Sequence, residues 1–257
     1  MSQGTEIAAS GRGIETIDLT STGLYTIGGA AALICAVMYL ITLAVYIPAN
    51  LASPPPETVL EWFTLFEDSP ITGLFFLGLA DVIIMILWGP MSLALYSVLK
   101  GSSRTWSLIA TTSVFVGMAV YLATNTAFSM LSLSEEYAAA TIEAEKSILL
   151  AAGQAMLAVS RGTGGLYTGM PLAWLAGLIL SVIMLRGKAF SKTTAWVGIL
   201  GLGLLVAGTP FGGHYTATAT PTAVQGAMVA VQYVGGGLLS LAWYTLAGFN
   251  LLKIGRS

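Results

Sequence analysis

Few residues of this chain could do chemistry, and one of them lies inside an apolar stretch. Asp81 stands in the run GLADVIIMILWGP, ten residues after Ile71. A helix rises about 1.5 Å per residue, so Asp81 is expected about 15 Å along a helix that begins at Ile71, near the midplane of a membrane. A carboxylate there is costly and is expected to face a cavity, take a proton or pair with a cation. Two interpretations fit: contact with an ion, proton or substrate, or a protonated carboxyl bonded to a neighbouring helix.

Other polar residues are predicted in the outer half of the same membrane domain, where they would line one cavity with Asp81. Arg161 is the candidate counter-charge for Asp81 or for an anionic ligand. Amides between helices are also ordinary packing contacts, worth about 0.6 kcal/mol each, and for each amide taken singly we favour that interpretation. The candidate ligand-binding residues are Asp81, Asn125, Gln154, Arg161, Tyr167, His214, Gln232 and Tyr233.

The residue sets that common enzymes and metal sites use are missing from the sequence. It contains one histidine and one cysteine, Cys35, which lies in an apolar run. Metal sites need clusters of His, Cys or carboxylates, and no GxSxG, HExxH or GxxxxGK[ST] motif is present. We therefore predict no metal, cofactor or catalytic residue, and an enzyme is the less favoured class. The net charge of −2 argues against a nucleic-acid partner.

Composition indicates which elements must position these residues. Hydrophobic residues make up 56% of the 257 residues and charged residues only 9%, too few to cover a water-facing surface. A spanning helix needs about 20 mostly apolar residues. We expect an all-α, polytopic transmembrane bundle over 23–253, between a cytoplasmic tail (1–22) and a cytoplasmic end (254–257). The predicted spans lie near 24–47, 71–99, 107–131, 166–185, 194–211 and 226–252.

Lysine and arginine set the predicted orientation, because cytoplasmic loops carry the excess of basic residues. With both termini in the cytoplasm of a multi-pass protein of the inner or plasma membrane, only Lys146 and Arg161 lie outside. Tyr96, Trp106 and Trp196 then lie beside basic turns, where an aromatic belt is expected. The basic residues assigned to the cytoplasmic side are Arg12, Lys100, Arg104, Arg186, Lys188, Lys192, Lys253 and Arg256.

Two external segments are predicted to be helical without spanning. Residues 134–160 are Ala-rich, and Ser134 is expected to cap this helix, which would lie on the outer surface or dip into it. It is interpreted either as a lid over an external cavity or, preferably, as an interfacial helix packed on the bundle. Residues 57–66 are expected to form a short amphipathic helix with Trp62, Phe63 and Phe66 facing lipid.

Small residues in the last two predicted spans indicate close helix packing. Gly208 and Gly212, and Gly236 and Ser240, have small-xxx-small spacing. This spacing fits tight contacts inside the bundle or the face of a homo-oligomer.

The sequence also resembles a family of prokaryotic multi-pass membrane proteins catalogued only as a domain of unknown function. The resemblance runs from about residue 22 to 203 and then fades. It implies about six helices and a bacterial or archaeal inner membrane, but no activity and no functional residues. The segments that carry it are LYTIGGAAALICAVMYLI (24–41), GPMSLALYSVL (89–99), stretches within 122–146, LLAAGQAMLA (149–158) and SVIMLRGKAFSKTTAWVGILG (181–201).

Three functions are compatible with these features. The leading hypothesis is binding or transport of a small molecule, ion or lipid through an outward-facing polar cavity around Asp81. The second is a non-catalytic accessory or sensor protein that acts through protein partners, suggested by the glycine-rich faces and the absence of catalytic motifs. The third is an intramembrane enzyme that modifies lipid.

Overall fold

The computed structural model describes residues 22–52, 56–161, 168–215 and 230–256. Within the helices, the side chains of 46–52, 161, 209–215, 230 and 233 are outside this description. In the described ranges every regular element is helical, which confirms the predicted all-α class. The elements are α1 (Thr22–Ala52), α2 (Val59–Asp68), α3 (Pro70–Phe76), α4 (Leu79–Leu99), α5 (Arg104–Thr124), α6 (Ala127–Ala139), α7 (Glu143–Arg161), α8 (Met170–Arg186), α9 (Lys192–Tyr215), a π-helix (Ala230–Gly236) and α10 (Gly237–Ile254).

Six long helices form a ring that we call the bundle: α1, α4, α5, α8, α9 and α10. Each packs on its neighbour in this order, and α10 closes the ring against α1. Small residues allow this closure. A Cβ added at Gly29 would lie 2.9 Å from the carbonyl oxygen of Gly248, and one added at Gly248 would lie 3.0 Å from that of Gly29. The backbones of α1 and α10 are therefore almost in contact.

The four remaining α-helices, α2, α3, α6 and α7, pack together and form what we call the cap. They surround a hydrophobic core that is separate from the core of the bundle. The buried members of the cap core are Val59, Trp62, Phe63, Phe66, Met130 and Leu157. The cap joins the bundle where α3 leads into α4 and where α5 leads into α6.

The basic turns lie together at the end of the bundle away from the cap, which we call the basic end. The turn after α4 meets the turn after α8, since a Cβ added at Gly187 would lie 3.0 Å from Ser102 Oγ. The start of α1 meets the end of α10, where a Cβ at Gly255 would lie 3.2 Å from the carbonyl oxygen of Thr22. This antiparallel arrangement brings Lys100, Arg104, Arg186, Lys188, Lys192, Lys253 and Arg256 to one end.

Four helical segments of the described chain are long and apolar enough to cross a membrane. They are Thr22–Val45, Leu79–Leu99, Arg104–Ala139 and Val234–Ile254. The segments Met170–Arg186 and Lys192–Gly208 are apolar but shorter. These six segments correspond to the six helices of the bundle, except that Arg104–Ala139 also includes α6 of the cap, and they have the apolar character of a membrane protein.

Three predicted helices are each divided in the structure. The run 71–99 breaks at Gly78, whose φ of 92° is left-handed and ends the regular hydrogen bonding. The run 107–131 breaks at Asn125, which is extended and whose side chain accepts from the N–H of Ala127. The external helix predicted at 134–160 is instead the second half of α6 and nearly all of α7, because the chain is extended at Ala140 and reverses.

Two predictions about the cap are wrong. The side chains of Trp62, Phe63 and Phe66 are only 5%, 3% and 1% exposed, so they form the cap core rather than face lipid. Ser134 does not cap a helix, because it lies inside α6 and donates to the carbonyl of Leu131 at 2.7 Å. Amphipathicity alone cannot distinguish burial against protein from burial against lipid.

Candidate functional site

Asp81 lies in the first turn of α4, next to the junction between bundle and cap. Leu79 begins the helix because Gly78 turns the chain, and an acid in a first turn is favoured by the positive end of the helix dipole. Eighteen residues separate Asp81 from Leu99 at the basic end, which corresponds to about 27 Å of helix. The expected midplane position is therefore corrected: the carboxyl group is half-buried near the cap end of the spanning segment.

Tyr121 of α5 is the neighbour of Asp81. Its hydroxyl donates to Asp81 Oδ2 at 3.5 Å, the long limit of a hydrogen bond. The same hydroxyl closes the space over Gly78, since a Cβ there would lie 2.5 Å from it. Only glycine fits this position, for lack of space and because of its positive φ.

Asn125 connects the two helix breaks. Its amide nitrogen donates to the carbonyl of Leu77 at 3.1 Å, and its amide oxygen accepts from the N–H of Ala127 at 3.2 Å. One side chain thus satisfies backbone groups on both sides of the junction, where the helices leave carbonyls and amides without partners of their own. Asn125 holds the end of α3 against the end of α5, directly beside Asp81 and Tyr121.

The N-cap residue of α8, Gly169, supports Tyr121 from the other side. A Cβ added at Gly169 would lie 2.9 Å from the backbone nitrogen of Tyr121, so the two chains almost touch. Because α4, α5 and the start of α8 meet here, the position of the Tyr121 ring is set by three segments. The pair of Asp81 and Tyr121 is consequently a preformed feature of the fold.

No cation lies within 4 Å of Asp81 among the residues whose side chains are described. Among these described residues, the ion pair present joins Lys146 and Glu143 at 3.5 Å, and both belong to α7. The described residues also contain no group of three His, Cys, Asp or Glu that could hold a metal ion. A half-buried carboxylate with one distant donor is suited to a ligand that brings a positive charge or a hydrogen-bond donor.

The family described as a domain of unknown function (DUF4386) matches residues 27–253. This chain belongs to the DUF4386 family. The match extends well beyond residue 203, where the resemblance read from the sequence fades, and it includes both the bundle and the cap. The DUF4386 description assigns no activity or site residues. No curated protein and no solved structure matches the chain.

Two other candidate residues of this DUF4386 protein have described side chains, Gln154 and Gln232, and neither joins Asp81 and Asn125. Gln232 of the π-helix is 4% exposed and donates to the carbonyl of Leu205 on α9 at 3.2 Å, as expected for an amide that holds two helices together. Gln154 lies exposed on α7. The side chains of Arg161, His214 and Tyr233, and the whole of Tyr167, lie outside the described residues.

Tyr121 and Gly78 were not identified as site residues from the DUF4386 sequence. Tyr121 is one of ten tyrosines, and no local pattern connects it to Asp81, which is 40 positions earlier. The contact depends on the lateral packing of α4 on α5. A weak signal for Gly78 was present, since an isolated glycine inside an apolar run can mark a change of backbone direction.

Below Asp81 the interior of the DUF4386 bundle is filled by aromatic side chains. Trp88 lies seven residues further along α4, on the same helical face, and its indole N–H donates to the Tyr244 hydroxyl at 2.9 Å. Its ring packs against Trp243 and Tyr244 with centroids 5.9 and 5.8 Å away. All three side chains are buried. The Asp81 site is therefore closed towards the basic end by a packed core.

Proposed function

We propose that this DUF4386 protein binds a small cation, or a ligand with a cationic hydrogen-bond donor, at Asp81 from the cap side of a cell membrane. The observation that carries the proposal is the half-buried carboxyl group of Asp81 beside Tyr121, with no cation near it in the described chain. An ionised carboxylate in partly apolar surroundings attracts an opposite charge strongly, because water screens it poorly.

The proposed topology has six membrane crossings and both termini in the cytoplasm. All the described basic turns lie at one end of the bundle, and basic residues mark the cytoplasmic side. Trp106 and Trp196 lie exposed beside these turns, as side chains of an interfacial belt do. The cap and Asp81 then lie at the outer face of a prokaryotic inner membrane.

Binding is favoured over conduction through an existing channel. Trp88, Trp243 and Tyr244 occupy the interior directly below the site, so a ligand at Asp81 meets a closed floor. Transport would require α4 and α10 to separate around this cluster. The arrangement supports capture of a ligand on the outer side, and movement of that ligand across the membrane would be a further step.

A thermal-shift comparison in lipid nanodiscs tests this function. Sodium, potassium and methylammonium are titrated at constant ionic strength into the wild type, Asp81→Asn and the control Glu67→Gln, which removes an exposed cap carboxylate. We expect a saturable rise in Tm with at least one probe in the wild type and the control, and none in Asp81→Asn. A ligand at 100 times its Kd stabilises by about 2.7 kcal/mol, which is readily measured. Identical responses in all three proteins would contradict the proposal.

A further inference from the structure

Helix α7 has two contrasting long faces, and the described part of the chain covers only one of them. The covered face carries Leu149, Gly153 and Leu157. It packs closely on α2, since a Cβ added at Gly153 would lie 2.5 Å from Val59 Cγ1 and 3.0 Å from Phe63 Cζ. The opposite face carries Ile148, which is 69% exposed, and Val159, which is 45% exposed.

The uncovered face of α7 is apolar along most of its length. Between Ser147 and Val159 its exposed residues include no charged side chain, and only Ser147 and Gln154 are polar. The first turns of α7 carry the charges of Glu143, Glu145 and Lys146, and the next charged residue is Arg161 at the end of the helix, whose side chain lies outside the described residues. The exposed residues of this face are Ala144, Ile148, Ala151, Ala155, Ala158 and Val159.

Two other helices of the cap, α2 and α6, expose acids instead. The open face of α2 carries Glu61, Glu67 and Asp68, and that of α6 carries Glu135 and Glu136. These carboxylates need water, because burial of an unpaired charge is costly. The cap is therefore acidic on the α2 and α6 surfaces and apolar on the α7 surface between Ile148 and Val159.

We propose that α7 lies obliquely in the lipid leaflet at the cap end, with its start at Glu143 in water and its exposed face between Ile148 and Val159 among the acyl chains. The occupant of the uncovered face is lipid. An interfacial helix places its apolar face about 5–10 Å into the boundary between headgroups and acyl chains. The direction fits the chain path, because the end of α7 leads within a few residues to α8, which enters the bundle at Met170.

Site-directed spin labelling tests the depth of each position. Single cysteines are placed on the uncovered face by Ala144→Cys, Ile148→Cys, Ala155→Cys and Val159→Cys, with Thr64→Cys and Glu135→Cys as controls on the acidic surfaces. Cys35 is fully buried, so the labelled wild type serves as the blank. Each protein is studied in nanodiscs of phosphatidylethanolamine and phosphatidylglycerol, and power saturation compares access of oxygen with access of a polar nickel chelate.

The proposal predicts a gradient along α7. The ratio of oxygen to nickel accessibility should rise from Ala144 to Val159 and exceed that of both controls by roughly a factor of three at the last two positions, because the hydrocarbon excludes the polar chelate. Nickel access at Ala155 and Val159 equal to that at Thr64 would place the face in water and overturn the proposal. Low access of both reagents would also overturn it, since protein, such as a second copy of this chain, would then cover the face. Neither outcome depends on ligand binding at Asp81.

Discussion

In the bundle, the helices approach until their backbones almost touch, whereas in the cap, the helices stand around large aromatic side chains. Gly29 and Gly248 form the contact between α1 and α10 in the bundle, and Trp62, Phe63 and Phe66 fill the centre of the cap. The difference follows from the surroundings of each region, which are lipid for the bundle and water for the acidic surfaces of the cap. Helices in lipid gain little from hiding apolar surface and associate by close packing, while the cap has acidic surfaces and a core like that of a water-soluble domain.

The candidate site lies where these two kinds of packing meet. Gly78 and Asn125 interrupt helices at the same level, and the side chain of Asn125 bridges the two breaks. Uninterrupted helices would continue past this level, and Asp81 would then lie mid-helix among packed neighbours. The breaks instead place Asp81 in a first turn, half-buried and beside Tyr121.

The largest expected effect is a loss of stability in the core of the cap that leaves the core of the bundle intact. Phe66→Ala removes a ring that is 1% exposed in the cap and should cost about 3–5 kcal/mol. Hydrogen exchange should rise in α2, α6 and α7 and stay unchanged in α1 and α10. The control Leu60→Ala, on the exposed side of the same helix, should change neither. A uniform rise over the whole chain would show that cap and bundle unfold as one unit.

The converse change targets the bundle. Gly248→Ala places a methyl group 3.0 Å from the carbonyl oxygen of Gly29 and should cost about 1–3 kcal/mol by overpacking. In the matched control Gly203→Ala the added methyl group would lie 4.0 Å from Leu178 Cδ1, an ordinary contact, so the change should be neutral or slightly stabilising as a helical Gly→Ala change. Thermal unfolding in nanodiscs measures both. Equal destabilisation by the two substitutions would argue against a specific contact between α1 and α10.

A third substitution tests the junction. Gly78→Ala must adopt a left-handed conformation, which costs about 1–2 kcal/mol, and must also displace the Tyr121 hydroxyl. Tyr121→Phe removes that hydroxyl and should recover part of the loss in the double variant. The Tm values of the wild type, the two single variants and the double variant form a double-mutant cycle. The fraction of stability recovered in the double variant measures the contact between position 78 and the Tyr121 hydroxyl. Strict additivity would contradict the position assigned to Tyr121.

The smallest effect concerns the start of the cap. The Glu61 carboxylate accepts from the N–H groups of Glu57 at 2.7 Å and Thr58 at 3.2 Å, and these hydrogen bonds lower the pKa of Glu61. Because its pKa is lower in the folded than in the unfolded state, the carboxylate stabilises α2 above the unfolded pKa. This contribution is lost as the pH falls through the folded pKa.

Replacement of the acid should remove this pH dependence. In Glu61→Gln, the hydrogen exchange of the backbone amides in the first turn of α2 should no longer rise on acidification. The control Glu67→Gln should behave like the wild type. Thr58→Ala removes the other half of the same capping box and should cost about 1 kcal/mol, again only in the cap. If the pH response persists in Glu61→Gln, another acid is responsible for that response.

Hydrophobic runs and basic turns were sufficient to predict the all-helical class, because both are local properties of the sequence. The same runs concealed the cap, since a helix that packs on protein and one that faces lipid need equally apolar residues. Trp62 and Phe66 show this clearly. Asp81 and Asn125 were recognisable as polar residues in apolar surroundings, but their common location depends on a left-handed glycine and on lateral packing, which one sequence does not encode locally.

The most direct test of the account is the accessibility of position 81 from each side of the membrane. Asp81→Cys is treated in intact cells and in inverted vesicles with a membrane-impermeant, cationic thiol reagent, and the wild type, whose Cys35 is buried, reports the background. We predict fast reaction from the outer side, through the junction of cap and bundle, and none from the basic end, where the aromatic core closes the path. Reaction from the cytoplasmic side alone, or from neither side, would contradict a ligand site at Asp81 that opens towards the cap.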